Sequence, residues 1–217
     1  MEIYELPYQL NTKVDYDFYH KYLGSNHFKE KFESRIEYIK NKYENNKITD
    51  DKLIEHYFVE IFSWSVIPKD MLNHINYILK ENNIKLLLDP CCGNAFHTFL
   101  FDVFCGYSIL ANDNDPNEYS WNSCSNKEGI KFLQDLNDKE HEEGGLILSW
   151  IEGDELAYKL LESFFGNVVI SIGNYENNTR YIDDLNYYYK LKCRIVLEMP
   201  WNLKEKIEIY IRKEIII

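Results

Sequence analysis

The chain has 217 residues with 24 Lys+Arg against 36 Asp+Glu, and its formal net charge of -12 repels phosphate backbones and anionic lipid at long range, which disfavours broad, non-specific nucleic-acid binding. No apolar run approaches the roughly 20 residues that span a bilayer, and the start Met1-Glu2-Ile3-Tyr4-Glu5 lacks a basic stretch followed by an apolar one. The five cysteines, at positions 91, 92, 105, 124 and 193, give no disulfide framework, so no membrane contact, reduced thiols and a soluble, cytoplasmic protein are expected.

Residues 1–80 hold no convincing strand pair and read as a helical segment. Between Asp15 and Tyr43 the apolar positions Phe18, Tyr22, Phe28, Phe32, Ile36 and Ile39 recur near helical spacing. After the polar break at Glu44-Asn45-Asn46-Lys47, Thr49 or Asp50 can cap a second helix carrying Leu53, Ile54, Tyr57, Phe58 and Ile61. Pro68 stands where a third helix would begin, with Met71, Leu72, Ile75 and Ile78 on its apolar face up to about Lys80.

From Ile84 short apolar runs alternate with helical stretches, the pattern of a parallel sheet wrapped by helices. Strands are predicted at Lys85–Leu88, Ser108–Ala111, Ile130–Leu133, Leu146–Ser149, Val168–Ile172, Arg194–Glu198 and Ile207–Ile211. Helices are predicted at about Ala95–Cys105, Glu118–Cys124, Glu155–Phe165 and Asp184–Tyr189, and Lys139–Gly145 reads as an acidic surface loop. Only Met199–Lys206 separates the last two strands, too little for a helical crossover, so one of them should run antiparallel to the rest. The division that follows is an N-terminal helical segment or cap over 1–80 and an α/β domain over 81–217.

The stretch Leu86-Leu87-Leu88-Asp89-Pro90-Cys91-Cys92-Gly93-Asn94-Ala95-Phe96-His97 combines a buried-type strand, a turn of small residues and the start of a helix. Ligands of open α/β sheets bind at the carboxyl ends of the strands, where Gly93 lets the backbone approach and the following helix offers free N–H groups. Asp113 follows Gly93 by 113 − 93 = 20 residues, at the end of the next strand, where a carboxylate can accept from both hydroxyls of a ribose. Spacing alone leaves a plain structural turn as the other reading.

Leu88-Asp89-Pro90-Cys91-Cys92-Gly93-Asn94-Ala95 resembles motif I of the class I S-adenosylmethionine-dependent methyltransferases, an acidic residue followed by G-x-G-x-G. Asp89 stands for the acidic residue, Cys91, Gly93 and Ala95 for the three glycines, and Asp113 for the acidic residue that grips the ribose, with Asp115 as a fallback. Phe62-Ser63-Trp64-Ser65-Val66-Ile67-Pro68, Leu148-Ser149-Trp150 and Gly166–Gly173 resemble further segments of a methyltransferase-like group, so the likeness covers about residues 60–200. That group has Ser-Trp-Pro-Pro where this chain has Ser149-Trp150-Ile151-Glu152, and Gly-Glu where it has Gly173-Asn174. The Asn/Asp-Pro-Pro-aromatic motif of nucleic-acid amino-methyltransferases is absent too.

The resemblance implies a three-layer, Rossmann-like sheet of seven mostly parallel strands with one antiparallel strand, in the order 3-2-1-4-5-7-6, and S-adenosyl-L-methionine as cofactor. It implies cofactor contacts from Asp89, Cys91, Gly93, Ala95 and Asp113, with Gln134 and Asp135 near the adenine edge, and an acceptor beside Ser149, Trp150 and Glu152. The expected function is methyl transfer to an unknown acceptor. A methyltransferase-like protein that has lost catalysis and serves as a binding or scaffold subunit, with a protein partner, is the alternative. A nucleotide-dependent oxidoreductase is disfavoured because the turn lacks G-x-G-x-x-G spacing. His97, alone in the first turn of its helix, reads as structural. No metal site is expected, since Cys91-Cys92 has no second C-x₂₋₄-C pair to complete a tetrahedral set.

Overall fold

The computed structural model describes residues 8–14, 26–43, 59–116, 119–151, 153–173, 179–199 and 204–213. The strands are β1 (Tyr8–Lys13), β2 (Leu86–Asp89), β3 (Ser108–Asp113), β4 (Ser125–Asn126), β5 (Gly144–Ser149), β6 (Val168–Ile172), β7 (Tyr189–Glu198) and β8 (Lys204–Arg212). The helices are α1 (Asn26–Tyr43), α2 (Lys69–Glu81), α3 (Phe96–Cys105), α4 (Gly129–Gln134), α5 (Asp138–Glu142), α6 (Asp154–Glu162) and α7 (Thr179–Tyr188).

One eight-stranded sheet runs in the order β1-β7-β8-β6-β5-β2-β3-β4. Every pairing is parallel except the two made by β8, with β6 and with β7. Set β1 aside and the strands from β2 onward take the order 3-2-1-4-5-7-6, with the antiparallel strand seventh in sequence. That is the order the resemblance implied. The central strands β5 and β6 are buried on both faces, as parallel strands covered by helices must be. The outer strands β7 and β8 alternate instead.

Two apolar layers enclose the sheet. On one face Leu72, Ile75 and Leu79 of α2 and Phe99 and Leu100 of α3 pack on Leu87, Ile147 and Ile170. On the other, Leu133 of α4, Leu160 and Leu161 of α6 and Leu185 of α7 pack on Leu88, Leu146 and Val169. Period-2 alternation within the buried strands sends neighbouring leucines to opposite layers, which is why Leu87 and Leu88 belong to different cores.

Four expectations are corrected. Ile130–Leu133 is helix, not the third strand: Gly129, Phe132 and Leu133 are the buried positions of α4, a spacing of three and four, and the third strand is the two-residue β4 just before it. Residues 119–124 form turn and bends rather than helix. Their backbone is committed elsewhere, since Trp121 donates its N–H to Asn94 O (2.8 Å) and its indole N–H to Ile61 O (2.6 Å). The 139–145 stretch is not a loop. Asn137 and Glu140 form a reciprocal capping box that starts α5, and Gly144 and Gly145 are buried at the head of β5. Finally, Tyr8–Lys13 is a strand, paired in parallel with Cys193–Glu198, where only helix was expected.

The third predicted helix begins at Lys69 as expected, with Pro68 at its N-cap position. Residues 15–25 and the predicted second helix up to residue 58 lie outside the described residues.

Candidate functional site

The turn between β2 and α3 is built from two left-handed residues, Gly93 (φ 55°) and Ala95 (φ 59°). Ala95 is the residue immediately before α3, and the Phe99 N–H returns to its carbonyl at 3.1 Å. A left-handed backbone favours glycine, which accounts for the glycines the family motif has at both places. Cys92 N–H donates to Asn112 O (2.9 Å), and Gly93 N–H donates to Asp113 Oδ2 (2.8 Å). The turn is thereby tied to the carboxyl end of β3. Asp113 Oδ1 also accepts from Asp115 N–H (3.0 Å).

A cleft of about 750 Å³ opens over this turn and over the ends of β3 and β5. Cys91, Gly93 and Asp113 line it, together with Ser149 and Trp150. Asp89 and Ala95 do not: both are buried behind the turn, at 1% and 0% exposure. The Asp89 carboxyl accepts from the Cys91 backbone, but burial raises its pKa well above the usual carboxylate range. Its Oδ1 has no hydrogen-bond partner among the described residues. Gln134 and Asp135 lie at the end of α4, outside the lining, where Asp135 pairs with Lys131 (2.5 Å) and Lys127 (3.1 Å). Glu152 lies outside the described residues.

The Ser149–Trp150 end of the cleft is a hydrogen-bonded chain that motif reasoning missed. His97 is buried, with Nε2 2.7 Å from Ser65 O and Nδ1 3.1 Å from Ser149 Oγ. A carbonyl can only accept, so Nε2 carries the proton and Nδ1 accepts from the Ser149 hydroxyl; the tautomer follows from the partners. Burial pushes the His97 pKa down to about 4, against the hydrogen bond to Ser65, which keeps the ring neutral near pH 7. The Trp150 indole N–H donates to Ser65 Oγ (2.9 Å), and Trp150 itself holds φ at 51°. Trp64 faces it at 5.7 Å between ring centroids, with planes at 41°. Ser149 Oγ thus spends its proton on His97 and turns lone pairs to the cleft.

Charge in the cleft is mostly negative. Among the described residues, Glu60, Asp113, Asp115 and Glu128 line it against the guanidinium of Arg35. Arg35, from α1, is 2% exposed and donates to Glu60 O and to Tyr119 O (3.3 Å). Burial lowers its pKa, although the Glu60 carboxylate opposes that. Neither Arg35 nor Glu128 carries a sequence signal beyond a charge on an expected helix or loop. Trp64 lay within a recognised segment, without an assigned role. Among the described residues, no group of three His, Cys, Asp or Glu side chains is placed to hold a metal ion, and no helix is long and apolar enough to cross a membrane.

Comparison with protein families finds no match, and no curated protein matches the chain. Solved structures do. TrmN from Thermus thermophilus superposes with a TM-score of 0.51 at 11% identity, over 66% of this chain and 48% of its own, so this chain spans about half the length of that protein. A methyltransferase from Geobacter sulfurreducens gives a TM-score of 0.49 at 8% identity over 81% of this chain and 96% of its own. Precorrin-6y C5,15-methyltransferase from Geobacter metallireducens gives 0.42 at 12% identity, over 68% and 90%. The last two are too distant in shape to carry argument. The fold is that of the class I S-adenosylmethionine-dependent methyltransferases. At 11% identity the likeness is one of fold alone, and Cys91 and Ala95 stand where the resembled motif has glycine.

Proposed function

We propose that this chain is an S-adenosylmethionine-dependent methyltransferase. Its cofactor would lie over the Cys91–Ala95 turn with the ribose on Asp113, and its acceptor would enter beside Ser149 and Trp150. The contact between Gly93 N–H and Asp113 Oδ2 at 2.8 Å carries the reading, because it sets the turn and the ribose-type carboxylate side by side on one cleft.

The residues present suit that cofactor. Asp113 spends one lone pair of each oxygen, on Gly93 and Asp115, and a carboxylate has about four, so two remain for a pair of hydroxyls. A Cβ at Gly93 would meet nothing within 4 Å, which leaves open space over the turn. Four carboxylates facing one guanidinium favour a cationic ligand, and a sulfonium is one. With β4 ending at Asn126, the residues after it that line the cleft are Glu128 and Gly129, and these take the adenine edge in place of Gln134 and Asp135.

When bound, the cofactor supplies an activated methyl group, so positioning of the acceptor does most of the remaining work. Ser149 Oγ, with its proton on His97, accepts from an N–H or O–H of the acceptor and orients that atom's lone pair. Trp64 and Trp150, packed against each other, supply one apolar wall. The acidic lining and the net charge of -12 argue against a phosphate-rich acceptor.

Calorimetric titration of the pure protein with S-adenosylmethionine and with its demethylated product tests the reading. Saturable binding that Asp113→Ala weakens roughly a hundredfold, in a variant still folded by circular dichroism, is the expected result. No binding by the folded wild-type protein overturns it and leaves the scaffold alternative.

A further inference from the structure

Cys92 Sγ and Cys124 Sγ lie 3.0 Å apart. The two sit in segments far apart in sequence, one in the turn after β2 and the other just before β4, and a single buried side chain fixes both segments. Asn112, fully buried, donates through Nδ2 to Pro90 O and Lys127 O (both 2.9 Å), and its Oδ1 accepts from the Ser125 hydroxyl (2.7 Å). Its backbone carbonyl accepts from Cys92 N–H. The backbone around both cysteines is therefore set before any bond forms, and bonding distance, about 2.05 Å, is roughly 1 Å away.

We propose that Cys92 and Cys124 form a reversible disulfide, a modification site that staples the turn after β2 to the segment leading into β4. The oxidant is a small disulfide such as oxidised glutathione. The Cys124 thiolate attacks one glutathione sulfur, and the S–S bond breaks to release one glutathione thiolate. The Cys92 thiol loses its proton, its sulfur attacks Cys124 Sγ, and the second glutathione leaves. Two protein thiols are oxidised, one glutathione disulfide is reduced to two thiols, and two protons balance the exchange.

Among the four half-buried thiols the chemistry selects this pair. The hydrogen bond from Cys92 lowers the Cys124 pKa and raises that of Cys92, which makes Cys124 the nucleophile and Cys92 the resolving thiol. Burial pushes Cys91 up to about 12 and Cys105 up to about 11, so both stay protonated, and Cys193 is buried. Cys92 also lines the cleft, so the staple fixes one wall of it. The chemistry stands without the cofactor reading; only a change in ligand affinity on oxidation would rest on that reading.

The test is to incubate the full chain with oxidised glutathione, block the remaining thiols and map the linked peptides by mass spectrometry. A Cys92–Cys124 linked peptide that dithiothreitol reverses, with the thermal midpoint raised by roughly 5–10 °C as a closed loop of this size predicts, supports the staple. Cys92→Ser should accumulate glutathione on Cys124, while Cys124→Ser should leave Cys92 free of it. Linkage through Cys91, glutathione on Cys92 but not Cys124, or no linked peptide in the folded wild-type chain overturns the proposal. Wild-type mapping decides the matter even if either variant fails to fold, and it does so whether or not S-adenosylmethionine binds.

Discussion

Gly93 donates its backbone N–H to Asp113 Oδ2 at 2.8 Å, across 20 residues of chain, so the turn after β2 and the carboxylate at the end of β3 form one unit. Replacing Asp113 by Asn keeps the shape and removes the charge and one acceptor. Hydrogen bonds to a charged group contribute about 1.5–3 kcal/mol against about 0.5–1.5 for neutral ones. Asp113→Asn should therefore weaken S-adenosylmethionine binding roughly tenfold and Asp113→Ala roughly a hundredfold. Calorimetric titration measures both, and a change below about twofold for the alanine variant would remove Asp113 from the site.

Gly93, exposed in a turn, and Gly144, buried at the head of β5, should respond differently to alanine. At Gly93 the added methyl meets nothing within 4 Å, so only the left-handed backbone opposes it and Gly93→Ala should cost about 1 kcal/mol. At Gly144 it would strike the Glu140 carbonyl and lie 2.8 Å from Leu88 Cδ1, both parts of a packed interior. Gly144→Ala should cost about 2–3 kcal/mol or prevent folding. Urea midpoints of the two variants rank them, and an equal loss would contradict the packing around β5.

Much of this could be read from the sequence where periodicity and burial agree. Leu86–Asp89, Ser108–Asp113 and Val168–Ile172 are short apolar runs bounded by turn residues, and each is a strand. Ile130–Leu133 reads as a run of the same kind, but three apolar residues in four do not separate two periods, and the buried set Gly129, Phe132 and Leu133 belongs to a helix. That misreading set Gln134 and Asp135 just after a strand, whereas they close a helix outside the cleft lining. Gly144-Gly145 looked like a loop because glycine punctuates loops, whereas here the Glu140 carbonyl and Leu88 leave no room for a side chain. The His97–Ser149 contact spans 52 residues and joins a helix to a strand end, so only the folded chain displays it.

His97 makes stability depend on pH. The unfolded chain takes up a proton on this group near pH 6.5, whereas the folded chain resists until about pH 4. Below 6.5 the unfolded state therefore binds more protons, and stability falls as pH drops through that window, by on the order of 3 kcal/mol from this group. Above 6.5 its contribution is constant. His97→Gln should be less stable at pH 7.5, having lost its contacts, yet should lose less on going from pH 7 to 4.5 than the wild type does. Denaturant unfolding at both pH values checks it; equal losses would mean that His97 is not held neutral.

Ser65 holds both Trp150 and His97. Its Oγ takes the Trp150 indole proton at 2.9 Å, while its backbone carbonyl takes the His97 proton at 2.7 Å. Ser65→Ala removes only the first of these. Trp150, already at φ 51°, then loses the bond that fixes its ring, and its indole N–H is left without that partner at a site where Ser65 is fully buried. A fully buried donor left unpaired costs about 1–3 kcal/mol; Trp150 is half-buried and lines the cleft, so the unfolding midpoint should fall by the low end of that range. Gly93 and Asp113 are untouched by the change, and affinity for S-adenosylmethionine should stay within about twofold, since no cofactor contact is altered. Thermal unfolding and calorimetric titration of the same preparation give both numbers. A large loss of cofactor affinity with unchanged stability would place Trp150 against the cofactor rather than the acceptor.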